Sequence, residues 1–185
     1  MRKLIARVFD YSLDGVIATE DTEFFKFCRD LPDDPAEDAA GREFYAGADL
    51  HIMGRTAYQS MASYFPTATG DPNAEPLNAA RKVVFSRTLT TADWANTTIA
   101  SGDLAEEVDN LRRGGDGYIV VSGGISLWRS LARLDLIDEY RVTLVPYLAG
   151  QGPRLFEDAG QSRRLELVSS TAFSNGLQLD YLRHR

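Results

Sequence analysis

Stretches of β-forming residues alternate with helix-spaced apolar residues along almost the whole chain. Strand-like runs fall at Lys3–Tyr11, Asp49–Met53, Lys82–Ser86, Thr97–Ala100, Gly117–Ser122 and Glu139–Pro146. Helical patterns lie between them at Phe24–Arg29, Ala39–Ala46, Thr56–Ser63, Asp103–Arg113 and Ile125–Leu134. In Asp103–Arg113, Leu104, Val108 and Leu111 recur at i, i+4 and i+7 and so share one face, and Gly114-Gly115 ends the helix. Strands separated by helices pair through crossovers, which gives a mainly parallel sheet covered on both faces. The last two runs, Arg164–Phe173 and Leu177–Arg183, are separated only by Ser174-Asn175-Gly176. So tight a turn makes that pair antiparallel. The expectation is one α/β domain spanning residues 1–185, with a mixed, mostly parallel sheet of about eight strands. Leu31-Pro32-Asp33-Asp34-Pro35 reads as a break between the first two helices. Pro66–Ala80, polar and rich in Pro, Gly and Asn, reads as a surface loop.

Composition removes several function classes. Of 185 residues 44% are hydrophobic, enough to fill one core without staples. No apolar run is long enough to span a membrane. The N-terminal segment returns to charge at Arg7, which breaks any secretory h-region. The lone cysteine, Cys28, has no internal disulfide partner, and with the missing signal this points to the cytoplasm. Two histidines and one cysteine do not make a Cys/His zinc cluster, so zinc deaminases and most zinc hydrolases are set aside. The net charge is 20 − 27 = −7, with dispersed Lys and Arg, which argues against a nucleic-acid partner. Any phosphate-bearing ligand must therefore be held by local charge rather than by the overall field.

There is no G-x-G-x-x-G, P-loop or G-x-S-x-G. His51 lies inside a predicted buried strand and reads as a core histidine, and His184 as a solvated tail residue. Two turns stand out. One strand runs into Gly54-Arg55-Thr56 and a helix, another into Gly123-Gly124-Ile125-Ser126 and a helix. Each offers free backbone N–H groups and the positive end of a helix to an anion, and glycine lets the backbone come close to it. Two such loops can together hold a pyrophosphate. A third strand ends in Ser86-Arg87, a hydroxyl beside a guanidinium that suits a phosphomonoester.

Five motifs occur in order: Ser12-Leu13-Asp14-Gly15, Met53-Gly54-Arg55, Val83-Val84-Phe85-Ser86-Arg87-Thr88-Leu89, Gly123-Gly124-Ile125-Ser126-Leu127-Trp128 and Leu136-Ile137-Asp138-Glu139. With Pro146–Phe156 they make the chain resemble the dihydrofolate reductase superfamily, most of all stand-alone homologues of the riboflavin-biosynthesis reductase domain. The resemblance implies a dihydrofolate-reductase-like three-layer fold and NADPH lying across the strand ends. By the same resemblance Arg55, Ser86 and Arg87 meet the 2′-phosphate, and Gly54 and Thr56 meet the pyrophosphate. Gly123, Gly124 and Ile125 form the second pyrophosphate loop, where the family often has a cis Gly-Gly bond. Ser101 and Gly102 fall near the adenine, Ile17 and Ala18 near the nicotinamide. Asp21-Thr22-Glu23-Phe24-Phe25-Lys26 is similar to the dihydrofolate reductase helix whose Asp meets the pterin ring. Asp21 and Glu23 are thus the catalytic carboxylates that the resemblance implies. The chain departs from the family where riboflavin-pathway reductases carry a lysine in the first strand and it has Val8. It departs again where the family threonine stands one position later than Thr56.

The function expected is an NADPH-dependent reductase acting on a small pterin- or pyrimidine-like heterocycle. Its nearest chemistry is reduction of 5-amino-6-(5-phosphoribosylamino)uracil or of a folate. The alternative is an NADP(H)-binding module without activity. The partners expected are a small-molecule substrate and a second copy of the chain. The closing hairpin, with Phe173, Leu177, Leu179 and Tyr181, supplies apolar side chains for a homodimer contact.

Overall fold

The computed structural model describes residues 1–157 and 160–183; His184 lies outside them. Among the described residues there are eight strands: β1 (Leu4–Tyr11), β2 (Ala48–Gly54), β3 (Arg81–Phe85), β4 (Thr97–Ala100), β5 (Tyr118–Val121), β6 (Glu139–Leu144), β7 (Leu165–Ala172) and β8 (Leu177–Arg183). The helices are α1 (Glu23–Arg29), α2 (Pro35–Ala46), α3 (Arg55–Tyr64), α4 (Ala74–Ala79), α5 (Leu104–Arg112) and α6 (Ile125–Arg133). The strands form one sheet in the order β4-β3-β2-β5-β1-β6-β8-β7. Pairings from β4 through β6 are parallel, and β6-β8 and β8-β7 are antiparallel.

Successive strand residues point to opposite faces, and the core divides accordingly. Leu4, Ala6 and Val8 of β1 join Leu50, Ile52, Ile119 and Val121 on the face covered by Val108 of α5 and Leu127, Trp128 and Leu131 of α6. Ile5, Met53, Val84 and Val120 face the other way, onto Phe44 and Tyr45 of α2, Tyr58 of α3 and Leu77 of α4. Both faces are covered, so the central strands are apolar on both sides.

Three motifs in the chain have local structural work. Ser12 Oγ accepts from Val16 N at 2.9 Å and donates to Asp14 Oδ1 at 2.7 Å. Asp14 in turn accepts from the backbone N–H groups of Ala149 and Gly150, both at 2.9 Å, and the Ser12 hydroxyl first, with these bonds after it, holds its carboxyl down at about 2. The first loop is thereby tied to the segment after β6. Asp138, buried, pairs with Arg112 at 2.8 Å and accepts from Leu4 N at 2.9 Å, locking α5 to the start of β1. At the hairpin, Phe173 N donates to Gly176 O at 2.8 Å. A Cβ on Gly176 would stand 2.6 Å from Leu144 O, so glycine is required there by close approach to β6.

Two expectations are corrected. The second helix begins at Pro35 and not at Ala39, because Asp34 caps it, accepting from Ala36 N (2.8 Å) and Glu37 N (3.2 Å), and proline suits the first helical position. The segment Pro66–Ala80 is not all loop. It contains α4, whose Ala74 and Leu77 are buried. Its terminal carbonyls are met from outside the segment: Lys82 Nζ, on β3, donates to Leu77 O (2.8 Å), Asn78 O (3.2 Å) and Ala80 O (2.7 Å) and lies over the Trp94 ring. Burial draws the Lys82 pKa down to about 8, and the carbonyls and the ring face hold its proton at neutral pH.

Candidate functional site

β2 and β5 are sheet neighbours, yet the helices that follow them, α3 and α6, pack on opposite faces. Where neighbouring strands send their chains to opposite sides, a crevice opens at their carboxyl ends. Here it is a cleft of about 930 Å³. The two glycine turns meet at its floor, with Gly54 N donating to Gly123 O at 3.1 Å. Gly124 has φ +96°, and a Cβ on it would stand 3.0 Å from Gly54 N and 3.1 Å from Gly54 Cα. Glycine at Gly124 is thus demanded twice, by its backbone conformation and by the close approach. The peptide between Gly123 and Gly124 is trans, unlike the cis bond common in the family.

The helix starts differ in a way that bears on ligand binding. α1, α2 and α5 are capped by the side chains of Thr22, Asp34 and Asp103. α3 and α6, like α4, have no side-chain cap. Their first N–H groups are unsatisfied by the helix and border the cleft, a geometry that favours an anion.

Ile17, Ala18, Gly54, Arg55, Thr56, Ser86, Arg87, Ser101, Gly102, Gly124 and Ile125 all line this cleft. Gly123 contributes its carbonyl to the floor without lining it. Ser86 Oγ accepts from Thr88 N (3.2 Å) and Leu89 N (3.0 Å), which fixes the hydroxyl and leaves its hydrogen to donate outward. Arg55 and Arg87 leave the ends of adjacent strands β2 and β3. The residues fit a dinucleotide with an extra phosphate: two glycine turns, two uncapped helix starts, and two guanidiniums with one hydroxyl.

Asp21 and Glu23 are placed elsewhere. Both are exposed, neither lines the cleft, and Glu23 pairs with Lys26 at 2.7 Å at the start of α1. A carboxyl that the sequence reading missed, Asp10, does not line the cleft but lies beside it. It occupies the irregularity where β1 shifts register against β6 between Val8 and Tyr11, with φ +53°. Its backbone carbonyl accepts from Ala18 N at 3.1 Å, so it lies one hydrogen bond from a cleft residue. Its side chain accepts from the Cys28 thiol, and burial raises its pKa above the ordinary carboxyl value, with nearby Glu37 adding to the rise. Burial and Asp10 together push the Cys28 thiol up to about 12. An Asp after an apolar strand run was the signal available in the sequence, but an ordinary turn residue gives the same one.

Asp10 instead lines a second cavity, of about 470 Å³, shared by β1, α1, α2 and α3. Ser122, at the end of β5 and just before the glycine pair, lines it too. The two cavities therefore adjoin at the ends of β1 and β5. His51 is fully buried behind Ser122, with Nδ1 2.6 Å from Ser122 Oγ. Burial, helped by Lys82, holds His51 down at about 4, so it is neutral at pH 7. Its Nε2 has no hydrogen-bond partner among the described residues, so the histidine is satisfied at one nitrogen only.

No helix among the described residues is long and apolar enough to cross a membrane. Residues 2–179 match the RibD C-terminal domain family. YyaP, an uncharacterized protein of Bacillus subtilis (strain 168), is 32% identical over 141 residues, which cover 73% of each chain. The fold is similar to that of a Shewanella sp. PV-4 protein assigned to riboflavin biosynthesis, with TM-score 0.78, 23% identity and 99% of both chains covered. It is also similar to that of Enterococcus faecalis dihydrofolate reductase complexed with NADP(H), with TM-score 0.64, 15% identity, and 98% of this chain and 97% of that one covered. With the match running from β1 through both glycine turns to the start of β8, this chain belongs to the RibD C-terminal domain family.

Proposed function

We propose that the protein is an NADPH-dependent reductase that passes hydride to a C=N or C=O group of a small pterin- or pyrimidine-like heterocycle. The observation that carries this reading is the cleft, where the uncapped starts of α3 and α6 converge beside Arg55, Ser86 and Arg87. Bound there, NADPH supplies the hydride, and the protein supplies orientation, charge and exclusion of water. Thr56, Gly124 and Ile125 present backbone N–H groups to the pyrophosphate, and Gly54, whose own N–H is taken by Gly123 O, lets the chain come close to it. Arg55 and Arg87 hold the 2′-phosphate, with Ser86 donating one more bond. Ser101 and Gly102 border the adenine end, Ile17 and Ala18 the nicotinamide end. Asp10, rather than Asp21 or Glu23, holds the proton that accompanies hydride, because it alone of the three is withdrawn from solvent, half-buried in the second cavity where that cavity adjoins the cleft.

The test is to mix the protein with NADPH and a panel of pterins and pyrimidines and follow NADPH absorbance. Consumption that requires both the protein and one heterocycle is the expected result. NADPH that binds and is consumed with none of them would make the chain a binding module without activity.

A homodimer is part of the same proposal. All of β7 is exposed at the sheet edge, with Leu165, Leu167 and Val168 between 37% and 54% accessible. A long apolar edge strand is normally covered. Light scattering at micromolar concentration should give twice the 20.5 kDa chain mass; the mass of a single chain would remove the dimer.

A further inference from the structure

The described residues include three buried arginines, Arg2, Arg7 and Arg112. Arg2 and Arg112 each sit on a carboxylate, at 2.7 and 2.8 Å. Arg7 has no carboxylate at ion-pair distance among the described residues. Its guanidinium is held by ring faces, 4.3 Å from the centroid of Phe9, 4.8 Å from Phe44 and 5.6 Å from Tyr45. The side chain lines the second cavity, is 6% exposed, and its buried Nε has no hydrogen-bond partner among the described residues. Two further buried atoms without partners belong to residues of the same cavity, the acceptors Asn73 Oδ1 and Asn175 Oδ1. Unmet buried polar atoms are rare and costly, and here a donor and two acceptors belong to residues that line one cavity.

The chemistry of the occupant follows from these groups. A planar guanidinium fork matches a planar acceptor edge. The unmet Asn oxygens call for N–H donors. Phe9 and Tyr45 offer ring faces. The cavity is lined by five carboxyl groups (Asp10, Asp33, Asp34, Glu37 and Asp38) against two guanidiniums (Arg7 and Arg29). That excess of negative charge opposes a phosphate dianion. We propose that this cavity takes a neutral, planar cyclic amide without a phosphate group, its carbonyl held by Arg7 and its N–H by the unmet Asn oxygens, so that Arg7 determines specificity. This rests on the reductase reading and narrows its substrate class to heterocycles lacking a phosphoribosyl arm.

The test uses three probes that share one cyclic-amide edge: 5,6-diaminouracil, uridine and uridine 5′-monophosphate. Each is titrated by ligand-observed NMR into the whole protein saturated with NADP⁺, whose own affinity is measured in parallel. Uridine should bind about 10-fold or more tighter than its monophosphate. Arg7→Met keeps the stem against the rings and removes the fork; it should weaken 5,6-diaminouracil about 10-fold or more, the loss of one charge-assisted bond. Arg7→Lys should fail to restore it, since a point charge lacks the fork. Melting temperature and NADP⁺ affinity should stay at wild-type values in both variants. Absence of 5,6-diaminouracil binding, a monophosphate that binds as tightly as uridine, or a folded Arg7→Met variant with unchanged affinity would each overturn the proposal. Failure of NADP⁺ itself to bind the wild type would instead overturn the reductase reading.

Discussion

Replacing Asp10 by Asn should lower turnover by about 10²- to 10⁴-fold and leave the NADPH dissociation constant unchanged. Asparagine keeps the shape and still accepts from the Cys28 thiol, so the loss isolates the proton. The pH dependence supplies a second readout. Burial raises the Asp10 pKa, so the acid form persists to higher pH than in an exposed carboxyl. Donation needs that form, and the rate should fall as pH climbs through the raised value. In Asp10→Asn this limb should vanish. Stability should respond with the same sign. The folded state binds this proton more tightly than the unfolded chain, so Asp10 stabilises at low pH, and that contribution is lost as pH rises from the ordinary carboxyl value through the raised one. Asp21→Asn and Glu23→Gln should both stay within about twofold of wild type, as befits exposed groups outside the transition state. If either matched the loss at Asp10, the proton would travel through the start of α1.

Replacing Arg87 by Ala should weaken NADPH about 10- to 150-fold and leave NADH nearly unchanged. The chain carries a net charge of −7, so an additional phosphate needs local cations. Arg87 and Arg55 stand at the ends of neighbouring strands, and Ser86 is fixed between them by its own turn. One charge-assisted hydrogen bond contributes roughly 1.5–3 kcal/mol, and about 1.4 kcal/mol is one decade in affinity. Both dissociation constants can be measured by fluorescence titration in wild type and variant. Equal losses for the two cofactors would mean that Arg87 acts on a part they share. Tighter NADH than NADPH in the wild type would remove the cofactor assignment.

What was legible in the sequence depended on short-range chemistry. β4 and β8 have the bounds that their residue patterns predict, and the other strands differ by one or two residues, because alternation and turn residues are local signals. The glycine turns and Ser86-Arg87 were legible for the same reason: each is a run of adjacent residues, and a parallel sheet brings all strand carboxyl ends to one edge.

What only the tertiary structure decided involves residues that are distant in the chain. The composition of Pro66–Ala80 predicts loop and misses α4, because the helix's carbonyls are capped by Lys82 from a strand, a partner that no window over that segment contains. The second cavity gathers Arg7 and Asp10 from β1, Cys28 from α1, Asn73 ahead of α4 and Asn175 from the last hairpin. In sequence these are an arginine within a strand, a turn aspartate, a lone cysteine and two loop asparagines. Arg7 entered the sequence reading only as the charge that breaks an apolar run, and packing against Phe9, Phe44 and Tyr45 turned it into a buried donor facing a cavity. Asp21 and Glu23 were chosen by likeness of a short helix. The fold set that helix at the surface, because its buried residue is Phe24, which stacks on Tyr147, and the carboxylates flanking it point to solvent. Local pattern determines which element a residue joins; the energy of burial, summed over contacts from the whole chain, determines which polar groups end up facing one another.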